Sequence, residues 1–271
     1  MYFCFKDKKT EYGSRTLIMG IVNVTPDSFS DGGRYLDPEN AVKRALELEA
    51  QGADIIDFGA QSTRPNHTEI SAEEELSRLI PVLERAVKCL SVPISVDTYY
   101  PEVAEKCLKI GADIINDVSG IVSPEMAKAV KNARSGWILM HNGAGGVDEV
   151  ARFFDKALCE CERLGVEKSH LCLDMGIGFG KTRQQDLELI ARVREYKPEG
   201  VPLLLGTSRK RVIGEYSRQE NPEKRVYGNI AADTAAILGG ADIIRLHDVQ
   251  NEIQGIRMAD AIRLAGKELN E

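Results

Sequence analysis

The sequence predicts an α/β fold in which a single domain, residues 1–271, forms a (β/α)8 TIM barrel. Three observations predict this fold: a phrase that occurs three times, eight short apolar runs, and the amphipathic segments that alternate with those runs. Residues 1–15 form an N-terminal extension before the first barrel strand.

The repeated phrase is GADII, which begins at residues 52, 111 and 240. Each copy follows a helical pattern. Its glycine suits the position just after a helix, where a positive φ costs glycine little, and its two isoleucines begin a short buried strand. The copies start at intervals close to two and four strand-plus-helix units of about 30 residues. The phrase therefore indicates one βα unit repeated along the chain.

The eight apolar runs have the length of buried strands rather than of helices. They are TLIMGIV (16–22), DIIDFG (54–59), PISVD (93–97), DIIND (113–117), WILMH (137–141), LCLD (171–174), PLLLG (202–206) and DIIRLH (242–247). Continuous apolar strands alternating with helices favour a parallel sheet covered by helices, and eight repeats favour a closed barrel. A doubly wound open sheet is the alternative.

Charge and composition exclude several classes of protein. The chain has 35 basic and 42 acidic residues, a net charge of −7, which gives no general attraction to nucleic acid or to an anionic membrane. No apolar window reaches the ~18 residues of a membrane span, and no signal peptide precedes the fold. The six cysteines lack a paired CxxC spacing and are interpreted as reduced thiols. The cytoplasm is the expected location.

Polar residues follow most of the apolar runs, where a barrel places its active site. Asp97, Asn116 and Asp174 each come directly after apolar residues, so their side chains are expected to point into one pocket. Carboxylates accept parallel N–H bonds and an amide both donates and accepts, which suits a flat heterocycle with an amidine-like edge. A pterin or guanine edge fits this description. Asn23, Asp57, Asp117 and His141 also end strands.

Basic residues gather at other loops of the same end. They are Arg64 in STRP, Arg209 and Lys210 in TSRK, and Arg245 and His247 in IRLHD. Cationic and hydroxyl groups in the loops after strands 7 and 8 are typical of a barrel's phosphate site. Arg211, by contrast, is interpreted as a surface charge.

The segment GIGFGK, residues 176–181, lacks the spacing of a P-loop and of a GxGxxG motif. It is predicted to form a glycine-lined floor after Asp174, with Phe179 able to stack on a flat ring.

Seven motifs in order along nearly the whole chain resemble the dihydropteroate synthase family. They are MGIVNVTPDSFSDGG, STRP, SVDT, IINDVSG, LDMGIGFGK, GTSRK and IRLHDV. The resemblance implies a homodimeric barrel transferase of folate biosynthesis. It implies that the enzyme joins 6-hydroxymethyl-7,8-dihydropterin diphosphate to 4-aminobenzoate and releases diphosphate.

The resemblance also implies roles for residues that match the family's motifs. The pterin contacts fall on Asp97, Asn116, Asp174 and Lys210, beside the stacking residue Phe179. The diphosphate contacts fall on Thr63, Arg64, Arg245 and His247, and the aminobenzoate loop contacts fall on Thr63, Pro65, Ser208 and Lys210. The Mg²⁺ contact falls on Asn23. Of these, Arg64, Lys210, Arg245 and His247 are expected to be catalytic. Mg²⁺ is the expected cofactor, and one amide oxygen suffices because Mg²⁺ keeps substrate oxygens and waters as ligands.

The hypothesis for the reaction is that cations stabilise the departing diphosphate while the pterin ring spreads positive charge, so that the amine attacks without a strong base. The alternatives are a pterin-dependent methyltransferase, which has no use for a diphosphate loop, and a non-catalytic pterin-binding subunit. The discriminating stretch is NVTPDSFSDGG, residues 23–33, where Asp27 and Asp31 are expected to structure the loop or to gate the substrate rather than to bind metal.

Overall fold

Eight parallel strands close into a barrel in a computed structural model that describes residues 1–25, 38–61 and 69–268. Strands β1 (Tyr2–Phe5) and β2 (Lys8–Glu11) pair with each other outside it. The barrel strands are β3 (Leu17–Asn23), β4 (Ile55–Gly59), β5 (Ile94–Asp97), β6 (Ile114–Asp117), β7 (Gly136–Met140), β8 (Leu171–Asp174), β9 (Leu203–Leu205) and β10 (Ile243–Leu246). They pair in chain order and β10 closes on β3. The predicted barrel is confirmed, and the open sheet is excluded.

Helices follow the strands and cover the barrel. They are α1 (Pro38–Ala50), α2 (Ala72–Cys89), α3 (Pro101–Ile110), α4 (Pro124–Ala133), α5 (Val147–Arg163), α6 (Arg183–Ala191), α7 (Val193–Tyr196), α8 (Arg211–Tyr216), α9 (Val226–Gly239) and α10 (Val249–Glu268). The hydroxyls of Ser71, Ser123 and Thr182 cap α2, α4 and α6 by accepting backbone N–H groups of the first turn. None of the described helices is both long and apolar enough to cross a membrane.

The three GADII copies join helix to strand as predicted. Gly52, Gly111 and Gly240 have φ of 106°, 142° and 111°, values that other residues rarely adopt. Each following isoleucine pair is fully buried in a barrel strand. The repeat is therefore a structural joint, and its function is to start β4, β6 and β10 at the correct depth.

The N-terminal extension forms a hairpin, which the sequence interpretation did not foresee. Strand β1 places Phe3 and Phe5 with no exposed surface against the inward-facing apolar side chains of the barrel, including Ile114 and Cys172. Lys6, with φ of 52°, turns the hairpin, and its ammonium donates to the carbonyl of Gly111 at 2.9 Å. The hairpin thus closes the amino-terminal end of the barrel and leaves the carboxyl-terminal end for the site.

All six cysteines are free thiols, as predicted. Cys107, Cys161 and Cys172 are buried in the apolar core, where burial raises the pKa of each thiol and keeps it uncharged.

Candidate active site

The strand register brings the predicted pocket residues together at the carboxyl-terminal end of the barrel. Asp97 on β5 lies directly beside Asn116 on β6, and Asp174 ends β8 opposite Met140. All three side chains are largely buried. Residues from three different strands therefore form one polar surface inside an otherwise apolar barrel.

Arg245 of β10 links two carboxylates of this surface. Its Nε donates to Asp57 Oδ2 at 2.8 Å, and one terminal guanidinium nitrogen donates to Asp97 Oδ2 at 2.9 Å. The amide of Asn116 also donates to Asp57 Oδ2, at 3.1 Å. Asp57 is completely buried, so these two donors replace water for its Oδ2 atom. Asp57 thereby fixes Asn116, which is predicted to contact the pterin, and Arg245, which is predicted to contact the diphosphate.

No role was predicted for Asp57, although the repeated GADII phrase marks its position in the sequence. It follows two buried isoleucines in the first GADII copy, as Asn116 does in the second and Arg245 in the third. The three copies thus place an acid, an amide and a guanidinium at equivalent strand positions, and the structure connects them directly.

Burial dominates the electrostatics of the acidic groups. It raises the pKa of Asp97 to about 7, because the effect of desolvation and of the neighbouring Asp57 and Glu75 charges exceeds that of Arg245. Burial also raises the pKa of Asp174, against a backbone hydrogen bond from Gly176 and the cations Lys210 and Arg245. Hydrogen bonds donated by a ligand would offset this desolvation and favour the charged carboxylates.

The glycine-rich segment after β8 forms a tight turn around Asp174. The Gly176 N–H donates to Asp174 Oδ1 at 2.8 Å, and the Gly178 N–H donates to Asp186 Oδ1 at 2.7 Å. Gly176 has φ of 68°, and a Cβ atom there would lie 1.9 Å from the carbonyl oxygen of His141. Only glycine fits this position, which agrees with the predicted glycine-lined floor.

Lys210 joins this turn from the loop after β9. Its ammonium lies 4.1 Å from the centroid of the Phe179 ring, a cation–π contact. Burial lowers the pKa of Lys210 to about 8, although the carboxylate of Asp174 acts in the opposite direction. Lys210 and Phe179, predicted separately to contact a pterin, are therefore neighbours beside Asp174.

Lys181 was not singled out as a functional residue, and it holds two loops together. Its ammonium donates to the carbonyls of His141, Gly176 and Phe179 at 3.1, 2.8 and 3.2 Å. The side chain lies behind the turn, where burial lowers its pKa to about 8. The final lysine of GIGFGK is thus a structural tie between the loops after β7 and β8, and not a phosphate-binding lysine.

The predicted diphosphate side is built around Ser208 and His247. Ser208 Oγ lies 3.0 Å from His247 Nδ1 and accepts the backbone N–H of His247 at 3.2 Å. The contact between the Ser208 hydroxyl and the imidazole fixes the orientation of the His247 ring. Arg211, two residues after Arg209, is exposed, as predicted.

Thr63, Arg64 and Pro65 lie outside the described residues, as do Asp27 and Asp31. Asn23 is described: it ends β3, half-buried, beside Gly59. Its amide oxygen is a ligand of the type that Mg²⁺ accepts. Within residues 1–25, 38–61 and 69–268, no group of three or more His, Cys, Asp or Glu side chains could hold a metal ion.

Comparison with known proteins agrees with this geometry. Residues 19–247 match the family model described as pterin binding enzyme, and the chain belongs to that class of barrel enzymes. A dihydropteroate synthase of Staphylococcus haemolyticus is 42% identical over 257 residues, which cover 92% of this chain and 96% of the relative. Within its class, the chain is a member of the dihydropteroate synthases.

Solved structures lead to the same assignment. A dihydropteroate synthase of Clostridium difficile, determined in the presence of pteroic acid, is 43% identical with a TM-score of 0.89, over 93% of this chain and 98% of that one. The enzyme of Xanthomonas albilineans with 4-aminobenzoic acid is also 43% identical, with a TM-score of 0.87 over 92% and 93% of the two chains. These relatives are synthases, so the methyltransferase and non-catalytic alternatives are not supported.

Proposed function

We propose that this chain condenses 6-hydroxymethyl-7,8-dihydropterin diphosphate with 4-aminobenzoate to form 7,8-dihydropteroate and diphosphate. The observation that carries the proposal is the convergence of Asp97, Asn116, Asp174 and Lys210 on one buried surface, with Arg245 bound to Asp97 at its edge. The resemblance to enzymes solved with pteroic acid and with 4-aminobenzoic acid supports the same substrates.

In this proposal the pterin lies flat on the floor between Asp174 and Asn116. The free oxygen of Asp174 and the carboxylate of Asp97 accept N–H groups of the pterin, while the Asn116 amide donates to and accepts from the ring edge. Phe179 and the Lys210 ammonium cover one face of the ring. Burial makes these contacts strong because water does not compete for them.

Bond cleavage separates charge, and the cations of the site lie where negative charge develops. The carbon–oxygen bond between the pterin methylene group and diphosphate breaks with its electron pair on diphosphate. Arg245 and the imidazole of His247 stabilise that leaving group, together with Arg64 of the STRP loop. The aminobenzoate nitrogen then forms the new carbon–nitrogen bond and releases its proton to solvent.

The loop after β9 and the STRP loop are proposed to hold the aminobenzoate. Ser208 and Lys210 face the site from the first loop, and Thr63 and Pro65 belong to the second. Asn23 is the proposed protein ligand of Mg²⁺, which when bound supplies charge neutralisation for the diphosphate.

The decisive experiment measures diphosphate release by the purified protein with Mg²⁺, dihydropterin diphosphate and 4-aminobenzoate. Release should depend on aminobenzoate, and Arg245→Ala should lower turnover at least about 100-fold through loss of a charged contact. Arg211→Ala, which changes an exposed arginine, is the matched control and should retain wild-type turnover. Release that is independent of aminobenzoate, or no release, would refute the proposed reaction.

We also propose that the single barrel domain works as a homodimer in the cytoplasm. Tyr227 on α9 is 86% exposed, and Met258 and Ile262, one turn apart on α10, are 61% and 45% exposed. Large apolar side chains exposed on two neighbouring helices support self-association. The free cysteines support a reducing compartment.

Analytical ultracentrifugation tests the dimer. The double change Met258→Glu and Ile262→Glu should produce monomers, whereas Ile121→Glu should not, because Ile121 is equally exposed but lies elsewhere, between β6 and α4. A wild-type chain that sediments as a monomer would contradict this part of the proposal.

A further inference from the structure

A second polar cluster is buried between α9 and α10, behind the loop that carries Ser208 and Lys210. It consists of Thr207, Asn229, Asp233 and Glu252, each at most 2% exposed. None of the four belongs to the site described above. Two carboxyl groups inside an apolar helix interface are costly unless hydrogen bonds or protons compensate them.

The hydrogen bonds in the cluster are too few for two carboxylates. Asp233 Oδ1 accepts a hydrogen bond from the Thr207 hydroxyl at 2.6 Å. Among the described residues, Asp233 Oδ2 and both oxygens of Glu252 are buried without a hydrogen-bond donor in bonding geometry. Three of the four carboxyl oxygens therefore have no hydrogen-bond donor in bonding geometry. A proton bound to one carboxyl group would supply a donor to the other.

Electrostatics favours that proton. Burial raises the pKa of Asp233 and of Glu252, and the charge of Asp233 raises the pKa of Glu252 further. Asp248 adds a third negative charge near Glu252, and the amide of Asn229 offsets only part of the effect. Both acids ionised at this interface would repel each other in a medium of low dielectric constant.

The cluster is connected to the active site through Thr207. Its carbonyl accepts the N–H of Lys210 at 2.9 Å, which closes the turn 207–210. Arg209 in that turn has φ of 63°, an unfavourable value for arginine, so the turn needs external support. The Arg225 guanidinium supports it from one side by donating to the carbonyls of Arg209 and Lys210 at 2.8 and 3.2 Å.

We propose that Asp233 and Glu252 share one proton, and that the resulting acid–carboxylate pair is a positioning unit that holds Thr207 and thereby orients Ser208 and Lys210. Asp233 Oδ1 accepts the hydrogen bond of the Thr207 hydroxyl. The protonated carboxyl group of Glu252 donates a hydrogen bond to the other oxygen, Asp233 Oδ2. The positioning role depends on the proposed function of the turn, whereas the shared proton does not.

Thermal unfolding between pH 5 and pH 9 tests the shared proton. The unfolded chain releases the Glu252 proton near the ordinary value of 4.5, and the folded chain retains it to a higher pH. Stability of the wild type should therefore fall as the pH rises through this range. Glu252→Gln, whose amide supplies permanent hydrogens, should show a smaller decline in Tm, and the exposed Glu84→Gln control should follow the wild type. Equal pH dependence of wild type and Glu252→Gln would overturn the shared proton.

Titration with a non-reactive pterin and steady-state kinetics test the positioning role. Asp233→Ala should raise the Kd of the pterin and the KM of dihydropterin diphosphate about tenfold through displacement of Lys210, with a smaller change in kcat. Asp233→Asn, which can still accept from Thr207 and donate to Glu252, should bind within about twofold of the wild type. Unchanged pterin binding in a folded Asp233→Ala protein, or equal impairment of both variants, would overturn the role. A wild-type protein that binds pterin but lacks synthase activity would instead refute only the proposed reaction.

Discussion

Arg245 and Asp57 are bonded side chain to side chain inside the barrel, at 2.8 Å, although 188 positions separate them in the chain. The carboxylate of Asp57 also receives the amide of Asn116. One buried acid thus sets the position of two residues that the proposed reaction uses for two parts of the same substrate, the pterin ring and the diphosphate.

Replacing Asp57 with Asn should reduce both stability and activity. The change removes the negative charge opposite Arg245 and leaves part of a mostly buried guanidinium without its partner, so we expect a loss of about 2 kcal/mol in the free energy of unfolding. Urea denaturation measures it. Glu160→Gln, which breaks the exposed pair with Arg163, should leave the free energy of unfolding close to the wild-type value. Equal effects in the two variants would contradict the anchoring role of Asp57.

The pH dependence of substrate affinity should depend on Lys210. Burial lowers the pKa of this lysine to about 8, so the free enzyme loses the positive charge as the pH rises through that value. The KM for dihydropterin diphosphate should therefore increase above about pH 8. Lys210→Arg should remove this increase, even if its affinity is lower throughout, because arginine stays protonated. If the KM of Lys210→Arg also increases above about pH 8, the increase comes from another group, such as Lys181.

Gly176 should tolerate no side chain. A Cβ atom would lie 1.9 Å from the His141 carbonyl oxygen, and φ of 68° adds strain, so Gly176→Ala should shift the turn and abolish pterin binding in a titration. Gly266→Ala in α10 is the control. A Cβ there meets no atom within 4 Å, and alanine should raise stability by up to about 1 kcal/mol through helix propensity. Wild-type pterin affinity in Gly176→Ala would contradict the proposed floor.

The N-terminal hairpin should contribute to stability and not to substrate binding. Phe3 is fully buried beneath the barrel, and Phe3→Ala should cost about 3 kcal/mol in the free energy of unfolding through lost contacts and a cavity. Its neighbour Tyr2 is 49% exposed, and Tyr2→Ala should cost much less. Measuring both the free energy of unfolding and the KM separates an effect on stability from an effect on substrate binding. A raised KM in folded Phe3→Ala would show that the hairpin also shapes the site.

The sequence was sufficient for the barrel and for the composition of its polar end. The length of the apolar runs, their alternation with amphipathic segments and the GADII joints together predict eight parallel strands. A glycine with positive φ followed by buried isoleucines is typical of the joint between a helix and a strand. The same logic located Asp97, Asn116 and Asp174, since a polar residue directly after a buried strand must find a partner.

Only the tertiary structure decided which of these groups contact one another. Arg245 on β10 reaches Asp57 on β4 because β10 closes on β3, the strand between them. Lys181 reaches the His141 carbonyl because two loops fold together. The GADII repeat marks the positions of Asp57 and Arg245, but nothing in the local sequence indicates either pairing. The buried pair of Asp233 and Glu252 is the clearest case. In the sequence both are ordinary acids on helices, and only the packing of α9 on α10 removes their water and makes their protonation depend on each other.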